Sequence, residues 1–139
     1  LGAGGRGVIE KPDWLINFEL SDFQCRCRPC SWNPNRPHTR LEVIREVQKL
    51  RDMLGRPLVV TCGVRCPMHN AEVGGANQSR HLPDYADAVD FHAPNGVERF
   101  DIIQKAMSRP FAWTAFEVSS KHVHLDARPG ARMFVASPC

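Results

Sequence analysis

Apolar residues along the chain follow two rhythms. Val43, Val47, Leu50 and Leu54 recur at helical spacing behind Thr39 and Glu42, a capping-box pair, until Gly55 and Pro57 interrupt them, so residues 40–54 are expected to be a helix. Phe100, Ile103 and Met107 repeat that rhythm on one face behind the capping residues Asn95 and Glu98, predicting a second helix that ends at Pro110. Residues 57–62 form a β-branched run that reads as a buried strand, and Ala88-Val-Asp-Phe91 reads as another. Pro67 to Val73 fits a short helix with proline in its first turn, and the Gly-rich stretch 74–79 that follows is a loop. Residues 113–118 and 121–126 alternate around Ser119-Ser120, which predicts a β-hairpin, and 132–135 would add one more strand. The class is therefore α+β, a single small domain with an antiparallel sheet and flanking helices. A chain of 139 residues has room for one core. Its Gly-rich start reads as a flexible strap over 1–17, disordered near 1–7, with the domain proper at 18–139.

Composition narrows the class. A 42% hydrophobic and 24% charged chain is ordinary for a folded domain and speaks against disorder or a coiled coil. No apolar run approaches the roughly 18 residues of a bilayer span, and the first residues lack the apolar core of a signal peptide, so membrane insertion is not expected. Residue 1 is Leu, from which removal of an upstream segment is expected. The net charge of +3 suits an anionic surface, but Lys and Arg are scattered without aromatic interleaving, so nucleic acid is not an expected partner. Six cysteines cluster as Cys25, Cys27 and Cys30, then Cys62 and Cys66, then Cys139. That density favours an exported, oxidised protein in which disulfides staple the Cys25–Pro37 loop to the body at Cys62 and Cys66. The competing reading is a structural zinc on Cys25, Cys27 and Cys30, with Cys66 or His38 as fourth ligand.

The chemistry concentrates near the C-terminus. In a strand, residues two apart share a face, so His122 and His124 present two imidazoles to one side of the hairpin. With Ser119 and Ser120 as a two-residue turn, Val118 pairs with Lys121 and Glu117 lies opposite His122, adding a carboxylate. Asp90 is an acidic residue in an otherwise apolar strand and needs a partner. Zinc would supply one. His81, which closes the Gly-rich loop, together with Asp90 and His124 makes a three-ligand set with a fourth position for water, and Glu117 is then the candidate base. Arg65 belongs either to this site or to a surface pair with Glu72; His69 reads as a structural histidine and Trp113 as core.

The stretch Cys62-Gly-Val-Arg-Cys-Pro-Met-His-Asn-Ala-Glu-Val-Gly-Gly-Ala-Asn-Gln-Ser-Arg-His81, with Ala88-Val-Asp-Phe91 and His122-Val-His-Leu-Asp126, resembles the zinc D-Ala-D-Ala carboxypeptidase family. Vancomycin-resistance dipeptidases, phage endolysins and the Hedgehog signalling domain are its relatives. The resemblance spans roughly residues 18–126, including Asn17-Phe-Glu-Leu-Ser-Asp-Phe23. It implies a Hedgehog/D-Ala-D-Ala peptidase-like fold and one catalytic Zn²⁺ on His81, Asp90 and His124. It also implies Glu117 as base, Arg65 and His122 as oxyanion donors, and Ser79 as a substrate contact. Arg80, beside His81, and Arg65 would add donors for a substrate carboxylate. Leu82 to Val89 puts eight residues between His81 and Asp90, two more than is usual in the family, which makes Asp84 and Asp87 rival ligands. Asp126 is the alternative base. The implied activity is hydrolysis of D-Ala-D-Ala in peptidoglycan stem peptides by an exported or phage-delivered enzyme. The rivals are an endolysin cutting L-Ala-D-Glu or cross-bridges, and a non-catalytic Hedgehog-like zinc module.

Overall fold

A computed structural model describes residues 10–110, 113–130 and 133–134. Much of the expected strap, Cys139 and the two end residues of the expected last strand, Arg132 and Val135, lie outside them. The elements in order are α1 (Arg28–Ser31), α2 (Leu41–Leu54), β1 (Val59–Cys62), α3 (Pro67–Glu72), β2 (Ala88–His92), α4 (Gly96–Met107), β3 (Ala115–Val118), β4 (His122–Asp126) and β5 (Met133–Phe134). A single 3-10 turn at Leu20–Phe23 precedes them. The sheet runs β1-β2-β4-β3-β5; β1, β2, β4 and β3 pair antiparallel, and β5 lies parallel to β3. The architecture is the α+β domain expected.

Strand alternation divides the sheet into a dry face and a chemical face. Val60, Val89, Phe91, Val123 and Leu125 point into the core with Val43, Ile44, Val47 and Leu50 of α2 and Ile102 and Ala106 of α4. Burial of each such large aliphatic side chain stabilises the fold by about 1.5–3 kcal/mol. Asp90 and His124 alternate with these residues and so look the other way. The apolar stripe of α4 differs from the expected one. Ile102 and Ala106 are its buried positions, Ile103 and Met107 flank them, and Phe100 faces solvent at 65% exposure.

Helix α2 begins differently from the expected capping box. Its N-cap is Arg40, without a side-chain cap, because the Thr39 hydroxyl is turned onto the Phe23 carbonyl, 3.4 Å away. The helix ends as expected at Gly55, whose φ of 66° is the left-handed conformation that glycine accepts most readily. In α4 the expected cap is present, Asn95 Oδ1 accepting from the Glu98 N–H at 2.9 Å. The expected strap is held from Pro12 onward: Leu15 is buried, and the Gln48 side chain accepts from the N–H groups of Ile16 and Asn17, both at 3.0 Å.

Candidate active site

Four strands each bring one residue to a single row across the chemical face. Cys62 of β1 lies beside Asp90 of β2, Asp90 beside His124 of β4, and His124 beside Glu117 of β3. This register corrects the expected hairpin. The turn sits one residue further along than expected: Val118 pairs with Val123 rather than Lys121, and Ser119 N–H donates to His122 O at 3.0 Å across Ser120 and Lys121. The shift is two residues, which preserves the face, so Glu117 remains on the side of both histidines but opposes His124 rather than His122.

His81 reaches this row from the loop between α3 and β2. Its backbone is fixed by Arg65 N–H donating to His81 O at 2.8 Å, and its Nδ1 lies 2.7 Å from Gly63 O. A carbonyl only accepts, so Nδ1 carries the proton and Nε2 is directed at the row. Nε2 lies 3.2 Å from Asp90 Oδ1 and 3.2 Å from His124 Nδ1, and these two are themselves 2.8 Å apart. Donors about 2.0–2.1 Å from one tetrahedral ion would be separated by roughly 3.3 Å, so the three atoms need only slight expansion to share a zinc. His124 is oriented in the same way. Its Nε2 sits 2.8 Å from Asp126 Oδ2, leaving Nδ1 for the ion, and Arg128 braces that fully buried carboxylate through Nε–H to Oδ1 at 2.8 Å.

Electrostatics favour a cation here. Burial opposes charge on His81, but the Asp90 carboxylate outweighs it and pushes the imidazole up to about 10. Burial also opposes charge on Asp90, yet the two imidazoles hold it well below the usual carboxylate range. His124 is raised against burial by its bonds to Asp126 and Asp90. A cavity of about 660 Å³ opens over the row, with Arg65, Ser79, Glu117, His122 and Arg128 on its walls. Arg65 Nη2 donates to Ser79 Oγ at 3.1 Å, while its buried Nε–H has no acceptor among the described residues.

Residues 16–126 match the family model described as Peptidase M15. The chain belongs to the peptidase M15 family. That family consists of zinc-dependent metallopeptidases, and the donor set above fits the metal. No curated protein matches the chain significantly.

Within this M15 domain the sequence-predicted residues separate into distinct roles. His81, Asp90 and His124 converge, with Glu117, His122, Arg65 and Ser79 around the same cavity. Arg80 does not have the free guanidinium expected of a substrate contact. Its Nε donates to the buried Asp87 carboxylate at 3.0 Å, Nη2 makes a second bond to it, and the group stacks over Tyr85 at 4.1 Å. That pairing also takes Asp87 out of contention as a ligand, and Asp84 is exposed. Between His81 and Asp90 the chain makes a tight turn in which Leu82 O accepts from the Tyr85 and Ala86 N–H groups at 3.0 and 2.8 Å. Asp126, the alternative base, has both carboxylate oxygens engaged by His124 and Arg128.

Two residues at this site carry no clear sequence signal: Arg128 sits two positions beyond Asp126, a spacing that matches no motif, and Cys62 is expected in a disulfide. The Cys62 thiol instead lies 3.6 Å from His81 Nδ1, and Cys62, His81 and Asp90 bring potential metal donors within 4.8 Å of one another. The expected staple is absent among the described residues, where Cys25, Cys27, Cys30, Cys62 and Cys66 are all free thiols. The close pairs stand 3.5 and 3.7 Å apart, far from the roughly 2.05 Å of a disulfide.

Proposed function

We propose that this M15 metallopeptidase removes the terminal residue of D-Ala-D-Ala stem peptides of peptidoglycan. The observation that supports this most directly is the Arg65 guanidinium, on the wall of the same cavity as the donor triad and Glu117, with one buried N–H that has no acceptor among the described residues. Zinc held by His81, Asp90 and His124 would supply Lewis acidity toward the scissile carbonyl and acidify a water. Glu117, on the cavity wall, would take a proton from an attacking water and hand it to the leaving amine. Arg65, steadied by Ser79, offers its donors to the oxyanion or the terminal carboxylate of the substrate. His122, exposed at the cavity rim, is the second candidate donor. A purely structural zinc site needs no further carboxylate in the cavity beside its ligands, so Glu117 favours catalysis over a Hedgehog-like binding role.

A cell-wall substrate places the proposed action outside the cytoplasm or on a phage-delivered particle. Among the described residues no disulfide is formed, so the case for export rests on the substrate. The specificity is tested by mass spectrometry of stem pentapeptides ending in free or amidated D-Ala. The free peptide should lose one D-Ala, and amidation should lower kcat/KM by about 10-fold or more, the scale of one charged hydrogen bond. Equal cleavage of both peptides, or cleavage only between L-Ala and D-Glu, would replace the carboxypeptidase with an endopeptidase.

A further inference from the structure

Away from the catalytic row, Cys25, Cys27 and Cys30 from the loop before α2 meet Cys66 from the turn into α3, with all four sulfurs within 4.8 Å of one another. Cys25 and Cys27 are buried. The Cys25–Cys27 sulfur separation is 3.5 Å and the Cys27–Cys66 separation is 3.7 Å. Four thiolates about 2.3 Å from one tetrahedral zinc would be separated by roughly 3.8 Å along each edge. These distances fit that arrangement and are too long for a covalent S–S bond. The sulfurs also have the partners that thiolates take. Cys66 N–H donates to Cys25 Sγ and His69 N–H donates to Cys66 Sγ, both at 3.3 Å.

We infer that Cys25, Cys27, Cys30 and Cys66 form a second, structural zinc site of four thiolates, separate from the His81–Asp90–His124 set. The site has no open position, so its work is mechanical. It ties the 25–37 loop to the segment Gly63-Val-Arg-Cys66, whose Gly63 carbonyl orients His81 and whose Arg65 faces the cavity. The turn that leads into this loop already touches the same segment closely: Val64 N–H donates to Phe23 O at 3.1 Å, and a Cβ at Gly63 would fall 2.6 Å from Phe23 Cα. A four-thiolate ion would lock this junction from its far side.

Metal analysis of the full chain, purified without chelator, tests the site directly. Two zinc ions per chain are expected. The His81→Ala/His124→Ala variant should keep one, and on replacement by cobalt it should show the intense sulfur-to-cobalt absorption of a tetrahedral thiolate site. Cys27→Ser/Cys30→Ser should lose that absorption and one zinc. Because the cysteine variant can fail to fold, the unmodified chain provides an independent measurement. Denatured in chelator without reductant and alkylated, it should yield all four cysteines as thiols, protected from alkylation in the native state. Disulfides among the four, or a His81→Ala/His124→Ala chain with no zinc and no cobalt–thiolate absorption, would overturn the inference. Neither result depends on whether the peptidase reading holds.

Discussion

Replacing Asp126 by Asn tests whether it positions a ligand or acts as a base. Both carboxylate oxygens accept hydrogen bonds and neither donates. Oδ2 takes His124 Nε2–H at 2.8 Å and Arg128 Nη2–H at 2.6 Å, while Oδ1 takes Arg128 Nε–H at 2.8 Å and its backbone N–H at 3.2 Å. An amide must place its NH₂ on one side or the other. One orientation sets it against His124 and the other against Arg128, so no rotamer restores the native pattern, and the group is fully buried. His124 then loses the acceptor that fixes its tautomer. Loss of such a supporting carboxylate weakens metal binding by about 10–100-fold, or roughly 1.4–2.8 kcal/mol. Competition against a chromophoric chelator should show that loss of zinc affinity in Asp126→Asn, and at a fixed subsaturating zinc concentration the zinc-linked gain in stability should shrink correspondingly. Unchanged zinc affinity would refute the positioning role, and unchanged affinity combined with a large fall in turnover would identify Asp126 as the base.

Glu117→Ala should keep its zinc but lose about 10²–10⁴ in kcat, and metal analysis beside muropeptide turnover separates the two effects. In metal-free protein His81 is raised to about 10, so its contribution to stability is complete below its unfolded value near 6.5 and is lost as pH climbs through 10. Asp90 is depressed, so its contribution holds above its unfolded value near 3.9 and fades as pH falls below that. Metal-free protein should therefore be most stable between these limits, and zinc uptake near pH 7.5 should release protons, visible as buffer-dependent binding heats; heats independent of buffer would contradict this. Asp87→Asn breaks a buried pair with Arg80 and should cost about 3–5 kcal/mol in denaturant melts while zinc content at the catalytic site is unchanged; loss of that zinc would return Asp87 to the ligand set. Gly63→Ala pushes a Cβ to 2.6 Å from Phe23 and should cost about 1–3 kcal/mol in stability, and an unchanged melt would show that the junction is softer than its distances.

The helices and the catalytic face were legible because their signals are periodic. Strand alternation puts His122 and His124 on one face whatever the turn, and Glu117 joins them in any register that differs by an even number of residues, so a register wrong by two still gave the correct side. The position of the turn was not legible, because Ser119-Ser120 suits a tight turn locally and only the pairing of Val118 with Val123 moves it to Ser120-Lys121. Arg80 was misread because its neighbour His81 is a ligand, while its true partner Asp87 is brought up by the turn after Leu82. Charge and adjacency do not reveal which of two arginines is already spoken for. The cysteines were ambiguous for a different reason: the same four side chains can satisfy either two disulfides or one zinc, and only sulfur separations tell these apart.

The row formed by Cys62, Asp90, His124 and Glu117 makes the site a gauge of how the sheet has assembled. Each of four strands contributes one rung. A slip of one residue in β2 would put Val89 or Phe91 where Asp90 stands and send the carboxylate into the helix-packed layer. Misregistered chains would therefore lack not merely a ligand but the means to capture the ion at all. Metal capture would draw the population toward the one alignment that completes the row, so the ion that equips the site for chemistry would also proofread the strand pairing that built it.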